Sequence, residues 1–152
     1  IMIGGDNTTY NIIQPLLNSY AKNSTLIGNS GSGQLAKMMN QICIAGLLQG
    51  LAEAINFGQK ANLDIEKVIG VIKDGAASSW QMENRYKTMV KDEFDFGFAV
   101  EWMRKDLKIC LEQADEVGAK LPVTAIIDQF YSNVLEIGGK RWDTSSLIKL
   151  LR

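Results

Sequence analysis

The chain has 152 residues, 46% of them hydrophobic and 22% charged, with 16 Lys plus Arg against 17 Asp plus Glu and a net charge of -1. Such a composition supports one proper core and excludes a disordered chain. The charge balance also excludes a protein built to neutralise many phosphates, so no nucleic-acid partner is expected. There is no histidine, which rules out a Ser-His-Asp triad, a Cys-His pair and any zinc site that needs imidazole. Two cysteines are too few for a thiolate zinc site, so no metal is expected. Any proton chemistry must therefore sit on Lys, Tyr, Cys or a carboxyl group. No run of about 20 residues is free of polar groups, so no membrane span is expected. Cys43 and Cys110 lie in apolar helical contexts and suit reduced thiols in a core. The expected location is the cytoplasm, or the mitochondrial matrix in a eukaryote.

In chain order, Ile1 to Ile3 reads as the end of a strand. Asp6 or Asn7 then caps a helix over about Thr8 to Lys22, with Ile12, Ile13, Leu16, Leu17 and Tyr20 on its buried side and Pro15 as an interior difficulty. Ser24 to Gly28 reads as a second strand. Strand, helix and strand make one unit of an α/β sheet, and two strands cannot bury both their faces. Residues 1–29 are therefore expected to be the remnant of a larger α/β domain.

From Ser30 onward the pattern is helical. Gln34 to Ala61 is one uninterrupted stretch, and between Ile42 and Ile55 only Gln49 and Glu53 are strongly polar. A helix so apolar is expected to be covered on every side. Gly46, Gly50 and Ala54 form a row of small residues at i, i+4 and i+8 that would admit another helix closely. Further helices are expected from Asp64 to Lys73, from Ser78 or Ser79 to Lys91, from Ala99 to Val117, from Pro122 to Ile137 and from Ser145 to Leu151. The aromatic loop Phe94 to Phe98 interrupts them. The expected fold is mainly α: a bundle around one long buried helix, residues 30–152, preceded by the strand-helix-strand remnant.

The segment Gly28-Asn29-Ser30-Gly31-Ser32-Gly33 joins a strand to a helix N-terminus, where free backbone N–H groups favour anions. Its spacing is not that of the dinucleotide fingerprint G-x-G-x-x-G, and a tight turn that lets the long helix pack closely is the favoured reading. Lys37, Asn40 and Gln41 follow at i, i+3 and i+4, on one face of the first turns. The helix dipole disfavours an ammonium there, which would suit Lys37 to acid-base work near neutral pH; the equal alternative is that this end of the helix simply meets solvent. Trp80, Trp102 and Trp142 read as core or interface packing. Met38 and Met39 read as core filler, and Lys91-Asp92-Glu93 as loop surface.

The run from Gly28 through Asn40, G-x-x-G-x-G-x-x-x-K-x-x-N, resembles the catalytic-lysine motif of the β-hydroxyacid dehydrogenases. That family includes 3-hydroxyisobutyrate dehydrogenase and tartronate semialdehyde reductase. Phe98 to Leu107 is similar to the family's F-x-x-x-x-x-x-K-D-L stretch. The resemblance covers nearly the whole chain. It implies an oxidoreductase that interconverts a small 3-hydroxy acid and its semialdehyde with NAD or NADP, the cofactor being held mainly by a preceding domain. Lys37 would be the proton donor or acceptor, and Asn40 or Gln41 would orient the substrate oxygen. Phe98 would wall the substrate site, and Lys105 and Asp106 would close it on the nicotinamide side. Many members carry Asn-Asn where this chain has Asn40-Gln41. A 6-phosphogluconate dehydrogenase-like enzyme fits less well, because that helical domain is far longer and places His-Asn after the lysine. The helical part would also carry oligomer contacts, and residues 1–152 alone would be inactive. The alternative reading is a non-catalytic helical oligomerisation module.

Overall fold

In this computed structural model, which describes residues 1–152, strands β1 (Met2–Gly4) and β2 (Thr25–Gly28) pair in parallel, Met2 opposite Thr25 and Ile3 opposite Leu26. Helix α1 (Asn7–Asn18) is the crossover that a parallel pair requires. Asp6 caps it by accepting the Thr9 N–H at 2.8 Å. Those bonds hold the Asp6 carboxyl below its ordinary range. The helix contains Pro15 and ends at Asn18, short of the expected Lys22. The chain turns out there because Leu16 O accepts both the N–H and the hydroxyl of Ser19. Of the side expected to be buried, only Leu17 is. Ile12, Leu16 and Tyr20 are 65–73% exposed.

The long helix α2 spans Ser32–Lys60. The chain divides into two compact units, residues 1–41 and 42–152. The first turns of α2 belong with the strands because Gly33 lies against β1: a Cβ there would stand 2.7 Å from Met2 O. Beyond residue 41, α2 buries one face only. Ala45, Leu48, Leu51, Ala52 and Ile55 join the core, whereas Cys43, Leu47, Gly50, Ala54 and Phe57 are exposed. This corrects the expectation of burial on every side, and of Cys43 as a core thiol. Apolar composition all round a helix does not say which faces the chain itself covers. By length and mean hydropathy, 1.2 over 18 residues, α2 is also apolar enough to cross a membrane. It meets that measure by length and composition only, as the core helix of a folded domain also does, since scattered Asn and Gln lower its hydropathy without removing it. Its core face explains the apolar residues in a folded domain.

The helices α3 (Ile65–Ile72), α4 (Trp80–Lys91), α5 (Val100–Val117) and α6 (Pro122–Glu136) follow. Their boundaries are set by local chemistry. Asp64 and Ser79 cap α3 and α4, Pro122 opens α6, and Asp92, Gly118 and Gly138 take the left-handed conformation that ends or follows a helix. The segment Thr144–Leu151 is a 3₁₀ helix rather than an α-helix. It starts on the tight bond from Ser146 N to Asp143 O. The fold is mainly α with a short two-stranded parallel sheet.

The core of residues 42–152 is formed by Leu48, Ile55, Met89, Met103, Leu107, Ile127, Tyr131, Val134, Leu147 and Ile148. The Tyr131 hydroxyl donates to Thr144 O at 3.0 Å, and burial pushes the phenol far above its ordinary pKa. Trp142 packs on this core with its ring 6.2 Å from Phe94. Trp80, Trp102 and Met39 are exposed, so they are not core residues of this chain. Their local helix positions point away from the covered face.

Candidate active site

The turn from β2 into α2 is built for close approach. Gly31 has φ +94°, and a Cβ on Gly4 would lie 2.6 Å from Asn29 O. Ser32 N donates to Asn29 O, and Gln34 N and Leu35 N donate to Gly31 O. With those donors engaged, the turn packs the helix start against β1.

One turn on, α2 places Lys37, Asn40 and Gln41 together. Lys37 Nζ and Asn40 Nδ2 both donate to Gln41 Oε1, each at 2.9 Å. Gln41 is buried at 2% exposure, Lys37 is half-buried and Asn40 is exposed. The three residues therefore differ in setting. The Gln41 carbonyl is the acceptor that the ammonium and the amide share, while the Asn40 side chain lies at the surface. A buried acceptor shared by two donors sets rotamers that would otherwise be free, and the charge-assisted bond from Lys37 is of the stronger class.

In the second unit, Lys105 and Asp106 lie side by side on α5, Nζ to Oδ1 2.9 Å. The lysine side chain is 59% exposed and the aspartate 13%. The preceding Arg104 fixes this helix to α6 through a two-pronged pair with Asp128, 3.1 and 3.2 Å, and a bond to Ser132. One turn beyond, Cys110 is buried, which raises its thiol pKa, with the nearby Asp106 charge adding to the effect. Phe98 is 40% exposed and immediately precedes Ala99, the N-cap of α5.

The Phe98 backbone is held from both sides, its N–H donating to Asp143 Oδ2 at 3.0 Å and its carbonyl accepting from Thr144 N at 3.0 Å. Asp143 immediately precedes Thr144–Leu151 and stands at the cap position of that helix. The cap is present, Ser145 N to Asp143 Oδ1 3.1 Å, but the same carboxylate also takes Arg85 Nε at 3.2 Å. No local pattern announces a pair 58 residues apart in sequence.

A family model described as the NAD-binding domain of NADP-dependent 3-hydroxyisobutyrate dehydrogenase matches residues 31–151. An uncharacterized oxidoreductase of Shewanella frigidimarina is 55% identical over 99% of this chain and 52% of its own length. The 2-hydroxy-3-oxopropionate reductase of Escherichia coli is 34% identical, with the same coverage of both chains. Among solved structures, a 3-hydroxyisobutyrate dehydrogenase of Mycobacterium tuberculosis, determined with L-serine, has a TM-score of 0.89 at 26% identity, over 99% of this chain and 54% of that one. The chain thus spans about half the length of the curated relatives it matches. With the family model covering most of its residues, the chain belongs to the 3-hydroxyisobutyrate dehydrogenase family of NAD(P)-dependent oxidoreductases.

Proposed function

We propose that this chain is the catalytic-lysine and oligomerisation half of a dehydrogenase that interconverts a small 3-hydroxy acid and its semialdehyde. The observation that carries the reading is the convergence of Lys37 and Asn40 on the buried Gln41 oxygen. An ammonium held in one orientation delivers a proton to a carbonyl oxygen as it becomes a hydroxyl, and the amine takes that proton back in the reverse direction. Asn40, the exposed member, orients the substrate oxygen through its amide. Phe98 supplies an apolar wall against the substrate carbon chain.

The Lys105–Asp106 pair suits a nicotinamide. A carboxamide has one donor group and one acceptor, and the pair presents one ammonium and one carboxylate. When bound, the nicotinamide supplies or accepts the hydride. Most of the cofactor is held by residues outside this chain in our reading, which fits the relatives' length and the exposed Ile12, Leu16 and Tyr20 of α1. Residues 1–152 alone are therefore inactive.

Oligomerisation is assigned to α2. Cys43, Leu47, Gly50, Ala54 and Phe57 are exposed at spacings of 4, 3, 4 and 3. That is the heptad interval of a helix seam, and such a face pairs well with its own copy across a two-fold axis. The same row is what a non-catalytic association module would show, so activity decides between the two readings.

The test is a reductase and dehydrogenase screen of the full-length protein with glyoxylate, tartronate semialdehyde, succinic semialdehyde and 3-hydroxyisobutyrate, each with both nicotinamides. Saturable turnover of at least one small substrate is expected. Turnover of none with either cofactor overturns the reading in favour of an association module.

A further inference from the structure

The loop that carries Phe98 is fastened by one buried carboxylate. Asp143 is 1% exposed. Its Oδ1 accepts from Arg85 Nε at 3.2 Å and from Ser145 N and Oγ at 3.1 and 2.6 Å, and its Oδ2 accepts from Phe98 N at 3.0 Å. The Arg85 guanidinium lies 4.8 Å from the centre of the Trp80 ring and 5.1 Å from that of Phe96, so it grips the aromatic loop on the other side. Gly97 has φ +71°, and a Cβ there would come within 2.0 Å of Asp143 Oδ2. The kink at Gly97 and the carboxylate under it fit together, and they decide where the next residue, Phe98, stands. Backbone bonds from Asp143 N to Phe94 O and from Val100 N to Trp142 O complete the fastening.

We propose that Asp143, locked by Arg85, is a positioning residue for the substrate site, acting through Phe98. The inference rests on the reading of Phe98 as the wall of that site. A merely structural carboxylate could be replaced by any group that satisfies the surrounding donors. Here the chemistry is more particular. Asparagine retains one acceptor oxygen for Arg85 and Ser145 but turns an NH₂ toward the Phe98 N–H, donor against donor. Asp143→Asn thus loosens Phe98 at its N–H, leaving only the carbonyl bond from Thr144 N, while keeping an acceptor for the cap and for Arg85.

In the full-length enzyme, Phe98→Ala and Asp143→Asn are each expected to raise KM for the hydroxy acid about tenfold with kcat within about threefold, the split of a lost binding contact. The double variant is expected to match Phe98→Ala alone, because the second change acts through a ring already removed. Arg85→Lys, which keeps the charge but loses the flat surface that stacks on Trp80 and Phe96, is expected to give a smaller rise in KM with the same non-additivity. It decides the matter should Asp143→Asn fail to fold. A KM effect that adds in full to Phe98→Ala, or a fall in Tm at unchanged KM, overturns the positioning role. If Phe98→Ala alone leaves KM unchanged, the wall reading itself is at fault and the inference falls with it. An enzyme with no turnover at all instead counts against the proposed function as a whole.

Discussion

Gln41 is the residue on which the proposed chemistry turns, although it does none itself. Its carbonyl oxygen accepts from Lys37 and Asn40 while its side chain is buried. Gln41→Leu keeps the volume and deletes the acceptor, so kcat is expected to fall about tenfold or more, because a loosened proton donor loses the geometry that makes it effective. A steady-state assay that finds kcat unchanged would remove Gln41 from the account. Lys37 and Asn40 were legible in the sequence as a polar face on a greasy helix, and the family resemblance gave them roles. What was not legible was that Gln41 is buried and Asn40 exposed, because burial depends on neighbours that local spacing does not reveal. Tyr131 provides a pH prediction. Its pKa is raised by burial above the ordinary 10.0, so the folded chain favours the protonated phenol. The stabilisation is full below pH 10 and is lost as pH rises above it, where the unfolded chain sheds the proton and the folded one does not. Tyr131→Phe is expected to flatten the alkaline fall in Tm, at a loss of about 1 kcal/mol near neutrality for the missing bond to Thr144. An alkaline limb that is unaltered by the substitution would assign that fall to other groups.

At the scale of elements, helix boundaries were the most legible feature, since caps and breakers are local. Asp64 and Pro122 stand where the sequence reading has them, and of the two serines it offers for α4, Ser79 is the cap. Coverage was the least legible. Glycine position shows why, because the same residue type serves opposite ends on α2. At Gly33 a Cβ would meet the backbone of β1 within 2.7 Å, whereas at Gly50 it would meet nothing within 4 Å. Gly33→Ala is expected to cost about 1–3 kcal/mol by forcing the strand and helix apart. Gly50→Ala is expected to stabilise the isolated helix by about 1 kcal/mol while weakening self-association, since the exposed seam then carries an extra methyl group. Thermal melts together with sedimentation read both effects. A Gly50→Ala chain that associates as tightly as the unaltered one would move the interface off this face.

For the molecule as a whole, the mainly α architecture with its short parallel sheet was readable from periodicity, because a strand-helix-strand run followed by uninterrupted helical runs allows few other arrangements. The Asp143–Arg85 fastening was not readable, because it joins two segments far apart in sequence. The exposed apolar faces of α1 and α2 define what the chain leaves uncovered, and the proposed function gives each an occupant: the rest of the dehydrogenase for α1 and a second copy for α2. The assignment for α1 depends on the chain being a working half of an enzyme, and that depends on Lys37. The most direct measurement is turnover of the full-length protein carrying Lys37→Ala, under conditions where the unaltered enzyme reduces its best semialdehyde. The account predicts a fall in kcat of at least about a hundredfold, the scale of a lost general acid, with nicotinamide binding retained. A kcat within about threefold of the unaltered enzyme would contradict it.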